Sequence, residues 1–181
     1  MMIEVRWHGR GGQGSFTVAR LLGLAASVYG GKYAQAFPSF GPERRGAPVL
    51  GFTRIDDVKI GDRSELDGCD YVVVLDETLW GNDVLSGLKD DSIVIINTKD
   101  ETKYKSETSH CIIAIDATQL ALDYLGIPIT NTAMLGALVG ASKIVDPAHC
   151  IDAIRASMAP KIAQKNVDLF NHVYGEVNSC E

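Results

Sequence analysis

The sequence predicts an α/β fold: a three-layer, Rossmann-like domain with a mostly parallel sheet flanked by helices. The apolar runs CDYVVVLD (69–76), DSIVIINT (91–98) and CIIAIDA (111–117) are typical of strands buried on both faces of a parallel sheet. Segments with helical spacing of apolar residues separate and follow these runs. Because strands and helices alternate without an internal repeat, we expect one domain over residues 1–181.

Composition and charge argue against a nucleic-acid-binding protein, a membrane protein and a secreted protein. The 181 residues are 46% hydrophobic and 22% charged, which is ordinary for a globular protein with a sizeable core. A net charge of -6 argues against nucleic acid, because phosphate contacts need more clustered cations than Arg44 and Arg45 supply. No apolar run approaches the roughly 18 residues of a membrane helix, and the start MMIEVRW lacks a signal-peptide pattern. We therefore expect a cytoplasmic protein without membrane contact.

The first third of the chain predicts three strands and one helix. A strand is expected over about residues 2–8, and Ser15 is expected to cap a helix that runs to about Val28 and ends at a glycine pair. Further strands are expected over residues 32–37 and 47–55. After a double-Asp turn signal, the segment VKIG is expected to return as a short hairpin partner.

The rest of the chain alternates the three buried strands with helices. A short helix is expected over about residues 77–88, and ATQLALDYLG predicts a helix that ends at Gly126. The Ala- and Gly-rich NTAMLGALVGASKI predicts a helix that packs closely against the sheet. An Asp-Pro pair at 146–147 is typical of a helix start, and a last helix is expected over about residues 160–177.

The stretch GRGGQG (9–14) links the first strand to the first helix. Its G-x-G-x-x-G spacing favours a tight turn beside the free N–H groups of a helix start, where an anion or phosphate can bind. A dinucleotide site also needs an acid about 20 residues further on, yet YAQAFPSF has none, and Arg10 is bulky. Close packing of the loop against the sheet is an equally valid interpretation.

The second glycine-containing loop, FPSFGPERRGAP (37–48), holds two aromatic and three proline residues. Two phenylalanines so close together indicate a buried or interfacial segment rather than a solvated loop. Arg44 and Arg45 can hold phosphate or carboxylate by bidentate hydrogen bonds, or Glu43 can neutralise one of them in a structural ion pair. Both glycine-rich loops are expected at the carboxyl ends of strands, where ligands of such sheets gather.

Cysteine and histidine give no metal or catalytic motif. The four cysteines are scattered, with no C-x-x-C pair, so we expect reduced and mostly buried thiols and no iron–sulfur cluster on this chain. His8 lies beside the glycine-rich loop, where a satisfied core or loop histidine is the simpler interpretation and a site role the alternative. No nucleophile elbow is present, and we expect no catalytic residue here.

Taken together, RWHGRGGQG and AQAFPSFGPERRGAP resemble the gamma subunit of the 2-oxoacid:ferredoxin oxidoreductases, and most closely the pyruvate or 2-oxoisovalerate branch. DYVVVLDETL, NTAMLGAL and KIAQKNVDLFNHVYGE extend the resemblance over essentially the whole chain. It implies a subunit of a pyruvate synthase-type enzyme, which decarboxylates a 2-oxoacid oxidatively and forms acyl-CoA, CO₂ and reduced ferredoxin. Pyruvate is the expected substrate, and 2-oxoisovalerate stays open.

The resemblance also implies which subunits carry the cofactors and which role is left to this chain. Thiamine diphosphate, Mg²⁺ and the iron–sulfur clusters belong to the alpha, beta and delta subunits, and coenzyme A is a substrate. This chain is expected to bind no cofactor alone and to be inactive in isolation. Its expected role is docking of neighbouring subunits or contact with coenzyme A, and the residues implied in that role are Gly9, Arg10, Gly11, Gly12, Gln13, Gly14, Phe40, Gly41, Glu43, Arg44, Arg45 and Gly46.

Two other functions are compatible with parts of the sequence. The first is a freestanding Rossmann-type nucleotide-binding dehydrogenase, which the glycine spacing permits and the missing acid opposes. The second is an interaction module outside any enzyme, which the aromatic loop permits. Partner stoichiometry would separate the subunit from both.

Overall fold

A six-stranded sheet forms the centre of the computed structural model, which describes residues 1–39, 46–100 and 102–178. The strand order is β2-β3-β1-β4-β5-β6. Strands β1, β4, β5 and β6 run parallel, whereas β3 is antiparallel to both of its neighbours, β1 and β2. The strands are β1 (Ile3–Arg10), β2 (Tyr33–Pro38), β3 (Pro48–Asp56), β4 (Cys69–Val74), β5 (Leu88–Asn97) and β6 (Cys111–Ile115).

Helices follow or link the strands. Five of the described helices have nine residues or more, and two have a single turn. They are α1 (Ser15–Leu24, continued by a π-helical turn over Ala25–Tyr29), α2 (Asn82–Leu85), α3 (Thr102–Lys105), α4 (Ala117–Leu125), α5 (Asn131–Ser142), α6 (Pro147–Ser157) and α7 (Pro160–Asn178). The expected α/β class, with a mostly parallel sheet between helices, is confirmed. None of the described helices is long and apolar enough to cross a membrane.

The two faces of the sheet are covered unequally. Alternate residues of a strand point to opposite faces, so Trp7 and Val73 pack under the long helices, while Val72 and Val74 face the other way. On the long-helix side, α5 is buried almost all round and lies directly against α7. A Cβ atom on Gly136 would lie 2.7 Å from the Phe170 carbonyl oxygen, so glycine permits this close approach. The other face is covered by the short helices and loops.

Three local predictions are wrong for physical reasons. Ser15 is the first helical residue rather than the cap, because Gly14 takes the cap position in a left-handed conformation with φ 81°. The segment 58–61 is no strand, since both edges of β3 are already paired with β1 and β2. The expected helix over 77–88 is split into a 3₁₀ turn, Glu77–Leu79, and the single turn α2.

Other boundaries follow the sequence signals closely. Asp146 caps α6 with Pro147 as its first residue, and its carboxylate accepts a hydrogen bond from the Ala148 N–H at 2.8 Å. Gly126 ends α4 in the left-handed conformation. In both cases the residue type satisfies the unpaired backbone groups of a helix end through local contacts.

Candidate functional site

The loop after β1 is a tight turn that the side chain of one of its own residues, Gln13, stabilises. The Gln13 N–H donates to the Arg10 carbonyl at 2.9 Å, and Gln13 Oε1 accepts from the Arg10 N–H at 2.6 Å. Gly12 and Gly14 have φ values of 99° and 81°, a region that favours glycine. The loop therefore has a defined backbone shape before any partner arrives.

The glycines also admit close neighbours. A Cβ atom on Gly14 would lie 2.5 Å from Asn131 Nδ2, at the start of α5, and one on Gly9 would lie 3.2 Å from the Ser15 Cβ. No atom of the described residues lies within 4 Å of the place that a Cβ atom on Gly12 would take. Close packing thus explains why glycine is present at positions 9 and 14. At position 12, the backbone conformation alone favours glycine.

The two glycine-containing loops meet at the carboxyl edge of the sheet. The Gly11 N–H donates to the Ala47 carbonyl at 2.8 Å, and the Gly46 N–H donates to the Gly11 carbonyl at 3.2 Å. Arg10 Nη1 adds a bond of 3.1 Å to the Gly46 carbonyl. Gly9 to Gly14 and Gly46 therefore form one surface, the glycine-rich surface. Five predicted site residues lie outside the described part of the chain: Phe40, Gly41, Glu43, Arg44 and Arg45.

Asp76, the second residue after β4, also stabilises this surface, through hydrogen bonds with two residues of the glycine-rich loop. Its Oδ2 accepts from Gln13 Nε2 at 2.9 Å and from Arg10 Nε at 3.2 Å. Its Oδ1 accepts from the hydroxyl of Thr78 at 2.6 Å and the Thr78 N–H at 3.0 Å. Partial burial opposes the charged form, yet the hydrogen bonds from Thr78 and Gln13, with Arg10 nearby, lower the pKa of Asp76 below its usual value.

This carboxylate changes how the glycine spacing is interpreted. In a dinucleotide fold, the pyrophosphate lies against the glycine-rich loop at the first helix. Here the Gln13 amide and the Arg10 guanidinium both donate to the Asp76 carboxylate. These donors of the loop are therefore already engaged by a side chain of the protein rather than directed at a pyrophosphate.

Comparison with known proteins identifies the family. The family model described as pyruvate ferredoxin/flavodoxin oxidoreductase matches residues 4–176. The chain belongs to this family. It is 49% identical over 180 residues to pyruvate synthase subunit PorC of Methanocaldococcus jannaschii, with 97% of each chain covered. It is 48% identical to the pyruvate/ketoisovalerate oxidoreductases common subunit gamma of Pyrococcus furiosus, covering 99% of this chain and 100% of the other.

A solved structure confirms the fold of the oxidoreductase subunit. Pyruvate oxidoreductase subunit PORC of Thermotoga maritima matches with a TM-score of 0.85 and 36% identity, and 96% of each chain is covered. The predicted resemblance to a gamma-type subunit is thereby confirmed. The chain is a subunit of a multisubunit oxidoreductase, so its function involves further chains.

Next to the glycine-rich surface, the oxidoreductase subunit has a cavity of about 550 Å³ at the carboxyl edge of the sheet. Asn97, at the end of β5, donates to the Leu75 carbonyl at 2.9 Å and to Thr118 Oγ1 at 3.0 Å. Glu77 Oε2 accepts from the Tyr104 hydroxyl at 2.6 Å and from Thr98 Oγ1 at 2.8 Å. These polar side chains mainly join neighbouring elements. The carboxylates lining the cavity are Asp76, Glu77, Asp100 and Asp116.

The sequence reading missed the role of these polar residues. Asp76 and Asp116 were visible in the sequence only near the ends of apolar runs, and Asn97 is near the end of the run at 91–98. A usable signal was available, because parallel strands end at the same edge of a sheet and polar residues just after them therefore lie together. What the sequence could not show was that Asp76 contacts the glycine-rich loop.

His8 is buried in the middle of the sheet rather than placed in the cavity. Its side chain is 4% exposed, and Nε2 has no hydrogen-bond partner among the described residues. Burial and the neighbouring Arg6 charge lower the pKa of His8 to about 3, so the imidazole is neutral at pH 7. The prediction that His8 is buried is confirmed. The prediction that hydrogen bonds satisfy its side chain is wrong for Nε2, which has no partner among the described residues.

The described cysteines also lack a catalytic setting. Cys69 and Cys150 are buried and Cys111 is exposed, all three as free thiols. Burial raises the pKa of Cys69 to about 11 and that of Cys150 to about 12. Thiols with such pKa values stay protonated and unreactive at pH 7. Within the described ranges, no group of three or more His, Cys, Asp or Glu residues is placed to hold a metal.

Proposed function

We propose that this chain is the gamma subunit of a pyruvate:ferredoxin oxidoreductase, and that residues 1–181 form one domain of that enzyme. The observation that carries this is the full-length likeness to relatives named as pyruvate synthase and as pyruvate/ketoisovalerate oxidoreductase subunits. The complete enzyme converts a 2-oxoacid, coenzyme A and oxidised ferredoxin to acyl-CoA, CO₂ and reduced ferredoxin. Pyruvate is the proposed substrate, with 2-oxoisovalerate as the alternative that the P. furiosus relative's name supports.

The gamma chain has a supporting rather than a catalytic role in this proposal. Thiamine diphosphate, Mg²⁺ and the iron–sulfur clusters are assigned to alpha, beta and delta subunits, and ferredoxin docks on the assembled enzyme. Iron–sulfur clusters need grouped thiolates, whereas the cysteines of this chain lie far apart in sequence, and burial keeps the Cys69 and Cys150 thiols protonated. The isolated chain should therefore be inactive, and a cytoplasmic location is expected for the complex.

The glycine-rich surface is the proposed contact with neighbouring subunits. Its backbone is already held in shape by Gln13 and Asp76, so little conformational entropy is lost on docking. Arg10 is engaged by Asp76 and the Gly46 carbonyl. The cations proposed for contact with a partner are therefore Arg44 and Arg45. With Glu43, Phe40 and Gly41 they complete the proposed interface.

Contact with coenzyme A is the second version of the same proposal. Coenzyme A carries phosphates. Among the described residues that line the adjoining cavity there are four carboxylates and one cation, Lys99, which ion-pairs with Asp116 at 3.6 Å. Like-charge repulsion therefore opposes phosphate binding within that cavity. Any phosphate contact would fall to Arg44 and Arg45, and we favour the docking version.

The test of the function is an anaerobic purification of the tagged chain from its native cells. We expect cluster-bearing partner chains to copurify, and expect the complex to reduce a viologen dye with pyruvate only when coenzyme A is present. Parallel assays with 2-oxoisovalerate and 2-oxoglutarate identify the substrate. A chain that elutes alone and inactive would contradict the proposal.

A double variant separates docking from coenzyme A contact. Arg44→Ala/Arg45→Ala should weaken assembly, while the apparent KM for coenzyme A of whatever complex forms should stay within about twofold of wild type. Lys59→Ala/Arg63→Ala, which removes two cations that are exposed and lie elsewhere in the sequence, serves as the control. Intact assembly with a raised KM for coenzyme A would favour the ligand version instead.

A further inference from the structure

A groove of about 590 Å³ lies between the α4–α5 connection and the start of α7. The same connection borders the acidic cavity through Pro128 and Thr130. Its walls are apolar, and several of its aliphatic side chains face solvent: Ile127 is 49% exposed, Ile129 38% and Ile162 57%. Contiguous exposed apolar surface of this kind marks a binding surface more often than scattered single residues do. The groove is therefore a candidate docking surface.

Two lysines give the groove a charge of its own. Lys161 and Lys165 line it one helical turn apart, and none of the described lining residues is Asp or Glu. Both lysines are exposed, and neither has an ion pair or hydrogen bond within residues 1–39, 46–100 and 102–178. The groove is thus positive on a chain whose net charge is -6.

The helix does not account for these lysines. Lys161 is the second residue of α7, where the positive end of the helix dipole disfavours a cation. Lys165 repeats the same charge four residues on, which is also unfavourable in an isolated helix. Residues that break local rules are expected where function requires them.

The floor of the groove is rigid. Thr132 Oγ1 donates to Asn166 Oδ1 at 2.8 Å, and Asn166 Nδ2 donates to the Ile162 carbonyl at 2.9 Å. Asn131 lines the groove and also lies against Gly14 of the glycine-rich loop. A segment bound in the groove would therefore lie next to the surface proposed above for subunit contact.

We propose that this groove receives an amphipathic segment of a neighbouring subunit, with apolar side chains for the isoleucines and Asp or Glu beside them for Lys161 and Lys165. The inference rests on the proposed function, since it needs a multisubunit enzyme. A second copy of this chain is a poorer occupant, because a twofold contact through the groove would bring like-charged lysines together. Charge complementarity thus selects an acidic, apolar partner.

Charge reversal in the reconstituted enzyme tests the proposal. Lys161→Glu/Lys165→Glu should weaken association with the remaining subunits by about tenfold or more. It should also flatten the loss of affinity that added salt causes in the wild type. An acid at position 161 is favourable in the first turn of α7, and a Glu–Glu pair only replaces the Lys–Lys pair, so the thermal midpoint of the variant chain alone should not fall. Lys59→Glu/Arg63→Glu makes the same change in net charge elsewhere and should stay within about twofold of wild-type affinity.

Ile162→Ser supplies an independent test of the apolar contact. Ile162 is 57% exposed, so its removal should leave the fold of the chain intact and still weaken association. Wild-type affinity in the Lys161/Lys165 variant, or an equal loss in the control variant, would overturn the proposal. So would a dimer of the isolated chain, seen by sedimentation, that Ile162→Ser abolishes. A wild-type chain that joins no other subunit would contradict the proposed function itself.

Discussion

The central strand β1 carries a charged network at each end, and the two networks differ in exposure. At its amino end, Arg54 contacts Glu4 at 3.1 Å, and its side chain is 2% exposed. At its carboxyl end, Arg10 contacts Asp76 at 3.2 Å, and its side chain is 34% exposed. The bonded groups are the same in kind, an arginine and a carboxylate, so the surroundings account for the difference in their roles.

At the amino end of β1, the charged groups are bonded mainly to one another. Lys89 bridges Glu4 and Asp70, and Arg54 also donates to the Ser64 carbonyl at 2.9 Å, which holds the segment after β3 against the sheet. Burial opposes the charge on Lys89, yet its bond to Asp70 and the nearby carboxylates raise its pKa overall. These groups satisfy one another and hold the fold together, with little left to bind a partner.

The carboxyl-end network is open to solvent and borders a cavity. Its bonds fix the shape of the glycine-rich loop rather than secure the core. The difference teaches that an ion pair at the buried end contributes to stability, whereas one at the open end mainly holds the shape of a surface loop, which we propose to contact other chains. Four changes test this distinction, in order of decreasing expected effect.

The largest effect is expected from Arg54→Met. Loss of one partner leaves Glu4 buried with only Lys89, and such a change costs about 3 to 5 kcal/mol of unfolding free energy. Arg10→Met, the matched change at the open end, should cost less than about 1 kcal/mol because solvent screens the pair. Urea unfolding at pH 7 measures both. Equal losses in the two variants would contradict the distinction between the ends.

Gly14→Ala should be the next most damaging. The added Cβ would meet Asn131 Nδ2 in a left-handed backbone conformation, so we expect a loss of about 2 to 3 kcal/mol. Gly12→Ala has the conformational strain but no close contact with any described residue, and it should cost about 1 kcal/mol. Thermal unfolding of the two variants gives the comparison. A greater loss at Gly12 would show that packing at Asn131 is unimportant.

His8, between the two ends, should make stability depend on pH. Its pKa is about 6.5 unfolded and about 3 folded, so below pH 6.5 the unfolded chain binds a proton that the folded chain does not. At pH 5 this lowers the unfolding free energy by about 2 kcal/mol relative to pH 8. His8→Leu removes the titration and should flatten that part of the curve. An unchanged slope between pH 5 and 6.5 would contradict this assignment.

Asp76→Asn should have the smallest effect on stability. The amide keeps the shape of the side chain, so we expect a loss of about 1 kcal/mol or less at pH 7. Because the folded pKa of Asp76 is lowered, its contribution is present above the unfolded value near 4 and is lost as pH falls below it. The variant should therefore lose less stability on acidification from pH 5 to 3 than wild type does, as measured by urea unfolding.

Much of the fold could be predicted from local signals. The apolar runs at 69–76, 91–98 and 111–117 became strands, and the Asp-Pro start of α6 and the glycine stop of α4 were correct. Local predictions failed where distant contacts decide the outcome. The segment 58–61 remains outside the sheet because β1 and β2 already occupy both edges of β3.

The candidate site was predicted only in part for the same reason. The sequence predicted that the loops at 9–14 and 37–48 lie at the carboxyl ends of strands, and therefore at one edge of the sheet. The hydrogen bonds of Gly11 with Gly46 and Ala47 are consistent with that position. It gave no reason to connect Asp76 with Gln13, because 63 residues separate them. The groove beside Ile162 was missed as well, since its walls come from separate helices.

The sequence by itself determined the α/β class, the family and the absence of a grouped cysteine motif, because these depend on local periodicity and on short, specific motifs. Only the tertiary structure decided which charges are buried and which stay open. Burial depends on what other elements place around a side chain, so Arg54 and Arg10, alike in the sequence, have different roles in the folded protein.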